Sequence, residues 1–139
     1  MAFQAALAVL RGLDPVQASN FGAAVAGRFG PPLRVSRVAE RNLSLAFPAL
    51  DGQARRHLVR MMWESLGRTV AELPHLAELM TSTSGPGWEV AGVEILREQA
   101  ARGGPAIFFS GHIGNWEMLP PILARLGVHM GSLAASSLA

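Results

Sequence analysis

One short stretch of this chain brings together side chains that could move a proton. The apolar run at residues 106–110 leads into Gly111 and His112, and Glu117 follows five residues after the histidine. A carboxylate within reach of an imidazole fixes its tautomer and stabilises its protonated form. His112 is therefore a candidate general base, and Glu117 is a candidate for the residue that orients it.

The spacing of this pair limits how the two side chains can meet. In a continuous helix, residues five apart point roughly 140° away from each other. We therefore expect His112 to lie in a turn and Glu117 at the start of the following helix, with Gly111 and Gly114 allowing the sharp bend. The prolines at 120 and 121 support this helix start because neither fits deep inside a helix.

Several interpretations of the histidine remain open at this point. No serine stands in a G-x-S-x-G sequence, so a base at His112 would act on a hydroxyl supplied by the substrate. H-x4-E is not a zinc-ligand spacing, and His129 is the one nearby residue that could add a ligand, so we predict no metal. A purely structural histidine in a loop is equally compatible with the spacing.

The elements before this stretch are predicted to be helical. An apolar segment at 1–10 precedes Asp14-Pro15, which is typical of a helix start and predicts a helix to about Arg28. Helices are also predicted at 33–47 and 53–73, with a short piece to Met80. The predicted helix at 53–73 carries apolar and small side chains at spacings of three and four. This spacing predicts a core-facing stripe: Leu58, Met61, Met62, Leu66, Thr69, Val70 and Leu73.

After a loop at 81–87, the pattern changes to short apolar runs alternating with helical segments. Strands are predicted at 88–91, 106–110 and 128–133, with helices at 93–102 and from about 117 to 126. The predicted fold class is α/β: N-terminal helices followed by the start of a parallel β-α-β-α-β sheet. Residues 1–80 would form a helical, membrane-proximal region, and residues 81–139 would carry His112 at the end of a strand.

Composition favours a membrane surface over nucleic acid as a partner. Half of the residues are hydrophobic and 16% are charged. Residues 1–60 carry eight arginines against three acidic residues, whereas the remainder carries four arginines against seven glutamates. A basic, apolar front half suits an anionic lipid surface, although solvated helix faces explain it equally well. No nucleic-acid-binding motif accompanies the arginines, and no run of about 20 apolar residues predicts a spanning helix.

Three blocks of sequence resemble one enzyme family. The run at 110–117 is similar to the H-x4-[DE] block of the glycerolipid acyltransferase superfamily, and its H-x-G-N-W-E form resembles the lipid A biosynthesis (lauroyl/myristoyl, late) acyltransferases. The R-N-L triplet at 41–43 and the F-P pair at 47–48 resemble an upstream segment of that family. Residues 62–68, followed by Glu72, match its next helix.

This resemblance implies transfer of a fatty acyl group from an acyl carrier protein or coenzyme A thioester to a hydroxyl of a membrane lipid, such as a lipid A precursor. His112 resembles the catalytic base and Glu117 its charge-relay partner. Gly114, Asn115 and Trp116 match the motif: Asn115 is expected to hydrogen-bond within the turn, and Trp116 to pack in the core or at the acyl entrance. No cofactor is implied beyond the thioester co-substrate. The implied location is the cytoplasmic face of the inner membrane, peripheral or N-terminally anchored.

The resemblance covers the N-terminal part of the family, so an incomplete acyltransferase domain is expected. The family's later blocks, one with a Tyr-Arg headgroup contact, have no counterpart in the tail at 131–139. Two alternatives therefore remain beside the acyltransferase. One is an inactive, truncated, membrane-associated lipid-binding module, and the other is a hydrolase that uses the same base on water.

Overall fold

The computed structural model describes residues 2–81 and 89–128, and its regular elements in these ranges are helical. Two single 3₁₀ turns, Leu73–His75 and Trp116–Met118, precede α5 and α7. The helices are α1 (Ala2–Arg11), α2 (Pro15–Phe29), α3 (Ser36–Ala46), α4 (Gly52–Glu72), α5 (Leu76–Thr81), α6 (Val93–Arg102) and α7 (Leu119–Arg125).

Aspartate caps begin the two longest helices. The Asp14 carboxylate accepts hydrogen bonds of 2.9 Å from the amides of Val16 and Gln17, and Pro15 occupies the first helical position of α2. The Asp51 carboxylate accepts one of 2.8 Å from the Ala54 amide at the start of α4. These side chains satisfy amides that have no partner inside the helix, which is why helices begin where the sequence predicts.

Helices α2 and α4 form the main packing interface, and small residues line it. Ala18 of α2 is completely buried, and Gly22 and Gly67 face one another across the crossing. A Cβ atom at either glycine would collide with the carbonyl oxygen of the other. The small residues of α2 therefore allow close packing on another helix.

The buried face of α4 differs from the predicted stripe. Thr69 is buried as expected, but Met61, Met62 and Val70 are exposed. The other buried residues of α4 are Val59, Gly67 and Ala71. The prediction favoured large apolar side chains for the core, whereas the close approach of α2 leaves room for small ones only.

Two contacts connect α1 and α7 to the elements that follow α4. His75 is buried, and its Nε2 donates a hydrogen bond of 3.0 Å to the Leu10 carbonyl oxygen, which joins the end of α1 to the turn after α4. Leu79 of α5 packs against Met118 and Ile122 in a small apolar cluster. That cluster joins α7 to α5. The division into a region at 1–80 and a region at 81–139 stays a prediction.

The predicted parallel sheet is wrong for the part of the chain that the structure describes. No strand occurs there, and residues 106–110 form neither helix nor strand. Ile107 and Phe109 are 83% and 94% exposed, although the prediction placed this run in a strand of the parallel sheet. A strand exists only through hydrogen bonds to a neighbouring strand, and apolar character alone supplies none. Residue 88 and most of 128–133, in the other two predicted strands, lie outside the described residues.

An open groove with an apolar lining runs between α1, α2 and α4. Its volume is about 470 Å³, and Trp63 and Leu66 are among its walls. Phe21 and Val25 line its α2 side and are both more than 40% exposed. Within the described ranges, none of the helices combines the length and apolar character needed to cross a bilayer. The groove is thus a surface feature of a helical bundle.

Candidate active site

His112 occupies the centre of a tight turn on the surface. The Ile113 amide donates a 2.8 Å hydrogen bond to the Gly111 carbonyl oxygen, which closes a three-residue turn around the histidine. The backbone φ of His112 is not positive, so the turn is of the common inverse type. The imidazole is exposed and accessible to a substrate. The predicted position of His112, in a turn before a helix, is confirmed.

Trp116 supports the imidazole from one side. The two rings meet edge to face, with centroids 4.8 Å apart and planes at 71°. Both side chains line a shallow pocket of about 210 Å³, together with Leu119 and Pro120. Trp116 is half-buried. It therefore lies beside the candidate base, at the pocket, rather than deep in a core.

Glu117 lies in the 3₁₀ turn that leads into α7, as the proline pattern predicts for a helix start. Its side chain is half-buried. No hydrogen bond or ion pair joins Glu117 to His112, both of which are described residues. The structure thus places the two groups on opposite ends of one short loop without bringing them into contact. Catalytic hydrogen bonds are often absent in ligand-free structures and form when substrate binds.

Helix α4 holds the residues that lie between His112 and Glu117. We refer to residues 111–118 as the motif loop. Thr69 donates a hydrogen bond of 3.1 Å from its hydroxyl to the Gly114 carbonyl oxygen. The Asn115 side-chain amide donates one of 2.6 Å to Glu72 Oε2. Asn115 therefore hydrogen-bonds within the turn through its carbonyl oxygen, which accepts from the Met118 amide, and its side chain bonds to Glu72 of α4.

Glu72 is the centre of a wider polar network. Its second oxygen, Oε1, accepts a 2.6 Å hydrogen bond from the Ser19 hydroxyl of α2. Arg68 donates to the same hydroxyl oxygen at 3.3 Å and to Asn20 Oδ1 at 2.7 Å. These side chains border a cleft of about 340 Å³ that reaches Asn115. Glu72 was predicted from the sequence only as part of a matching block, with no role of its own.

The other described histidines have different surroundings. His75 is buried against the Leu10 carbonyl oxygen, so its imidazole is used in packing. His57 is exposed on α4. Across residues 2–81 and 89–128, no three histidine or carboxylate side chains lie together as metal ligands. His129, the residue considered as a further ligand, lies outside the described residues.

Comparison with known families identifies the chain. The profile of the bacterial lipid A biosynthesis acyltransferases matches residues 2–137. Because the match covers nearly the whole chain, the protein belongs to this family. The members of the family are acyltransferases of lipid A biosynthesis. No curated protein and no solved structure matches the chain.

Proposed function

We propose that this protein transfers a fatty acyl group from an acyl thioester, on an acyl carrier protein or coenzyme A, to a hydroxyl of a lipid A precursor, with His112 as the general base. The observation that carries the proposal is the exposed imidazole on a tight turn beside a pocket, in a chain that belongs to an acyltransferase family. No cofactor is required, because the thioester itself is the activated acyl donor.

The chemistry follows from the position of the imidazole. His112 accepts the proton of the acceptor hydroxyl, and the oxygen attacks the carbonyl carbon of the thioester. The C–O ester bond forms as the C–S bond breaks, and the imidazolium returns the proton to the departing thiolate. Glu117 orients the imidazole and stabilises its positive charge during the step.

Two substitutions test these roles. His112→Ala and Glu117→Ala each remove the proposed function of one side chain, and a general base contributes about 10²- to 10⁴-fold to the rate. We expect transfer of radiolabelled lauroyl groups from lauroyl–acyl carrier protein to a lipid A precursor to fall by this order in the His112 variant. The loss in the Glu117 variant should be comparable or smaller.

The matched control is His57→Ala, which removes an exposed imidazole of α4 outside the motif loop. It should transfer acyl groups at the wild-type rate, and circular dichroism should show that all three variants keep their helices. Full activity in a folded His112→Ala protein would contradict the assigned role. Consumption of the thioester with release of free fatty acid, and no acylated lipid, would indicate the hydrolase instead.

We also propose that the protein acts at the cytoplasmic face of the inner membrane, as a peripheral or N-terminally anchored protein. Phe21, Val25 and Phe29 recur every four residues along α2 and are all more than 40% exposed. Arg28 lies over the Phe29 ring, with its guanidinium carbon 5.7 Å from the ring centroid. An exposed apolar stripe with adjacent arginines suits an anionic lipid interface. Lipid binding without acyl transfer, the module considered above, would be seen as vesicle binding with no acylated product.

A further inference from the structure

The contacts of Glu72 point to a role in the reaction for a residue outside the motif loop. We infer that Glu72 is a positioning residue: through Asn115 it holds the loop on which the proposed base and its partner are mounted. This inference rests on the proposed function, because it assumes that His112 and Glu117 act together. It assigns to α4 a part in the chemistry that the motif loop alone does not explain.

Asn115 lies between the two proposed catalytic groups of the motif loop. His112 lies three residues before it, and Glu117 lies two residues after it. The Asn115 carbonyl oxygen accepts a 3.2 Å hydrogen bond from the Met118 amide, which closes the 3₁₀ turn that carries Glu117. A change in the position of Asn115 therefore moves the histidine and the glutamate relative to each other.

The orientation of the Asn115 side chain depends on Glu72. The side-chain amide of Asn115 donates to Glu72 Oε2, and its own Oδ1 is buried with no hydrogen-bond partner among the described residues. The bond to Glu72 is thus the side-chain hydrogen bond that sets the orientation of this amide. Its removal would leave a buried polar group with both ends unsatisfied, and the loop would move to relieve that cost.

Glu72 is itself held in place by hydrogen bonds to other side chains. Ser19 donates to its other oxygen, and Arg68 in turn donates to the Ser19 hydroxyl oxygen. The carboxylate is partly buried between α2 and α4, the two most closely packed helices. A group held from both sides by a rigid helix pair is suited to fix the position of a loop that has no regular structure at residues 111–115.

An exchange of the two functional groups tests the inference. Asn115→Asp places two carboxylates against each other, and we expect kcat to fall about 10- to 100-fold with KM little changed, because misplaced catalytic groups slow the chemical step. Adding Glu72→Gln restores an amide–carboxylate pair with the donor and acceptor exchanged. The double variant should therefore recover most of the lost kcat.

Further variants separate positioning from folding. Glu72→Ala should lower kcat like Asn115→Asp, whereas Glu72→Gln alone should lower it less, because the glutamine carbonyl oxygen can still accept from Asn115 while its amide faces the Ser19 hydroxyl oxygen as a donor. Glu94→Ala, at an exposed glutamate in the first turn of α6, is the matched control and should change nothing. Thermal unfolding of each variant shows whether a loss of kcat accompanies a loss of structure; the exchange pair remains informative even if Glu72→Ala does not fold.

The result that overturns the inference is a double variant as slow as Asn115→Asp alone, or a folded Glu72→Ala protein with wild-type kcat. His112→Ala distinguishes this failure from that of the proposed function. If His112→Ala is inactive while Glu72→Ala is fully active, only the positioning role fails. If His112→Ala is itself fully active, the proposed base and the positioning role both fail.

Discussion

Gly114 is the residue in the motif loop whose backbone requires a glycine. Its φ is +59°, in the left-handed region, and a Cβ at this position would meet no atom within 4 Å. The requirement is therefore conformational and does not come from lack of space. Other residue types avoid this region because their Cβ approaches the following carbonyl oxygen. The sequence predicts a sharp bend that Gly111 and Gly114 allow, and of these two glycines Gly114 is the left-handed one.

We expect Gly114→Ala to strain the loop by about 1 kcal/mol and to lower kcat, since the loop carries both proposed catalytic groups. Gly111→Ala is the matched control, because its φ lies outside the left-handed region and its Cβ would be in ordinary contact with Ile113. Acyl-transfer kinetics and thermal unfolding of the two variants measure the difference. Equal activity of the two folded proteins would contradict a conformational requirement at Gly114.

The hydrogen bond between Glu72 and Asn115 could not be predicted from the sequence. Glu72 and Asn115 are 43 positions apart and belong to different elements, so no local spacing connects them. The pattern around His112 was accessible because its glycines and prolines act on their immediate neighbours. The long-range hydrogen bond depends on how α4 packs, which a pattern of residue types does not show.

At the scale of elements, the crossing of α2 and α4 depends on Gly22 and Gly67. A Cβ at Gly22 would collide with the Gly67 carbonyl oxygen and also with the Ala71 side chain. We therefore expect Gly22→Ala to separate the helices and to destabilise the protein by about 1–3 kcal/mol, as overpacking does. This outweighs the gain in helix propensity, about 1 kcal/mol, that alanine otherwise brings. Urea unfolding measures the change.

Gly52→Ala is the control for helix propensity. Gly52 begins α4, and a Cβ there would approach only the ends of the Arg55 and Arg56 side chains, which can move. This variant should be as stable as wild type or slightly more stable. If Gly22→Ala also proved neutral, the close approach of the two helices would not be a determinant of stability.

Helices and strands differed in how far the sequence could predict them. The starts of α2 and α4 follow from Asp14 and Asp51, whose side chains act within three residues of themselves. The run at 106–110 predicted a strand from its apolar character, yet Phe109 is almost fully exposed. Helix caps are local, whereas a strand needs a partner from elsewhere in the chain. That is why the helices were predicted correctly and the sheet was not.

At the scale of the whole molecule, the exposed apolar stripe on α2 (Phe21, Val25 and Phe29) and the adjacent Arg28 predict binding to membranes. The double variant Phe21→Ser/Phe29→Ser removes two aromatic side chains from the stripe on α2, which are 51% and 64% exposed. We expect it to bind anionic lipid vesicles several-fold more weakly than wild type in a sedimentation assay, because less apolar area is buried in the lipid interface. Binding of the wild type should also weaken with added salt, which screens the arginines.

Ile95→Ser is the matched control for that experiment, because Ile95 is an exposed apolar side chain on α6 outside the groove. It should bind vesicles like the wild type. Equal weakening by both sets of substitutions would indicate nonspecific apolar adsorption, and unchanged binding of the double variant would exclude the α2 stripe as the contact surface.

The edge-to-face contact of Trp116 with His112 also has an optical consequence. A protonated imidazole quenches indole fluorescence at close range, and these two ring centroids are 4.8 Å apart. Emission from Trp116, isolated by Phe substitutions at Trp63 and Trp88, should therefore dim when His112 gains a proton and should lose that response in His112→Ala. Followed in a stopped-flow instrument, the same signal would report the charge of the proposed base during turnover, without any added dye.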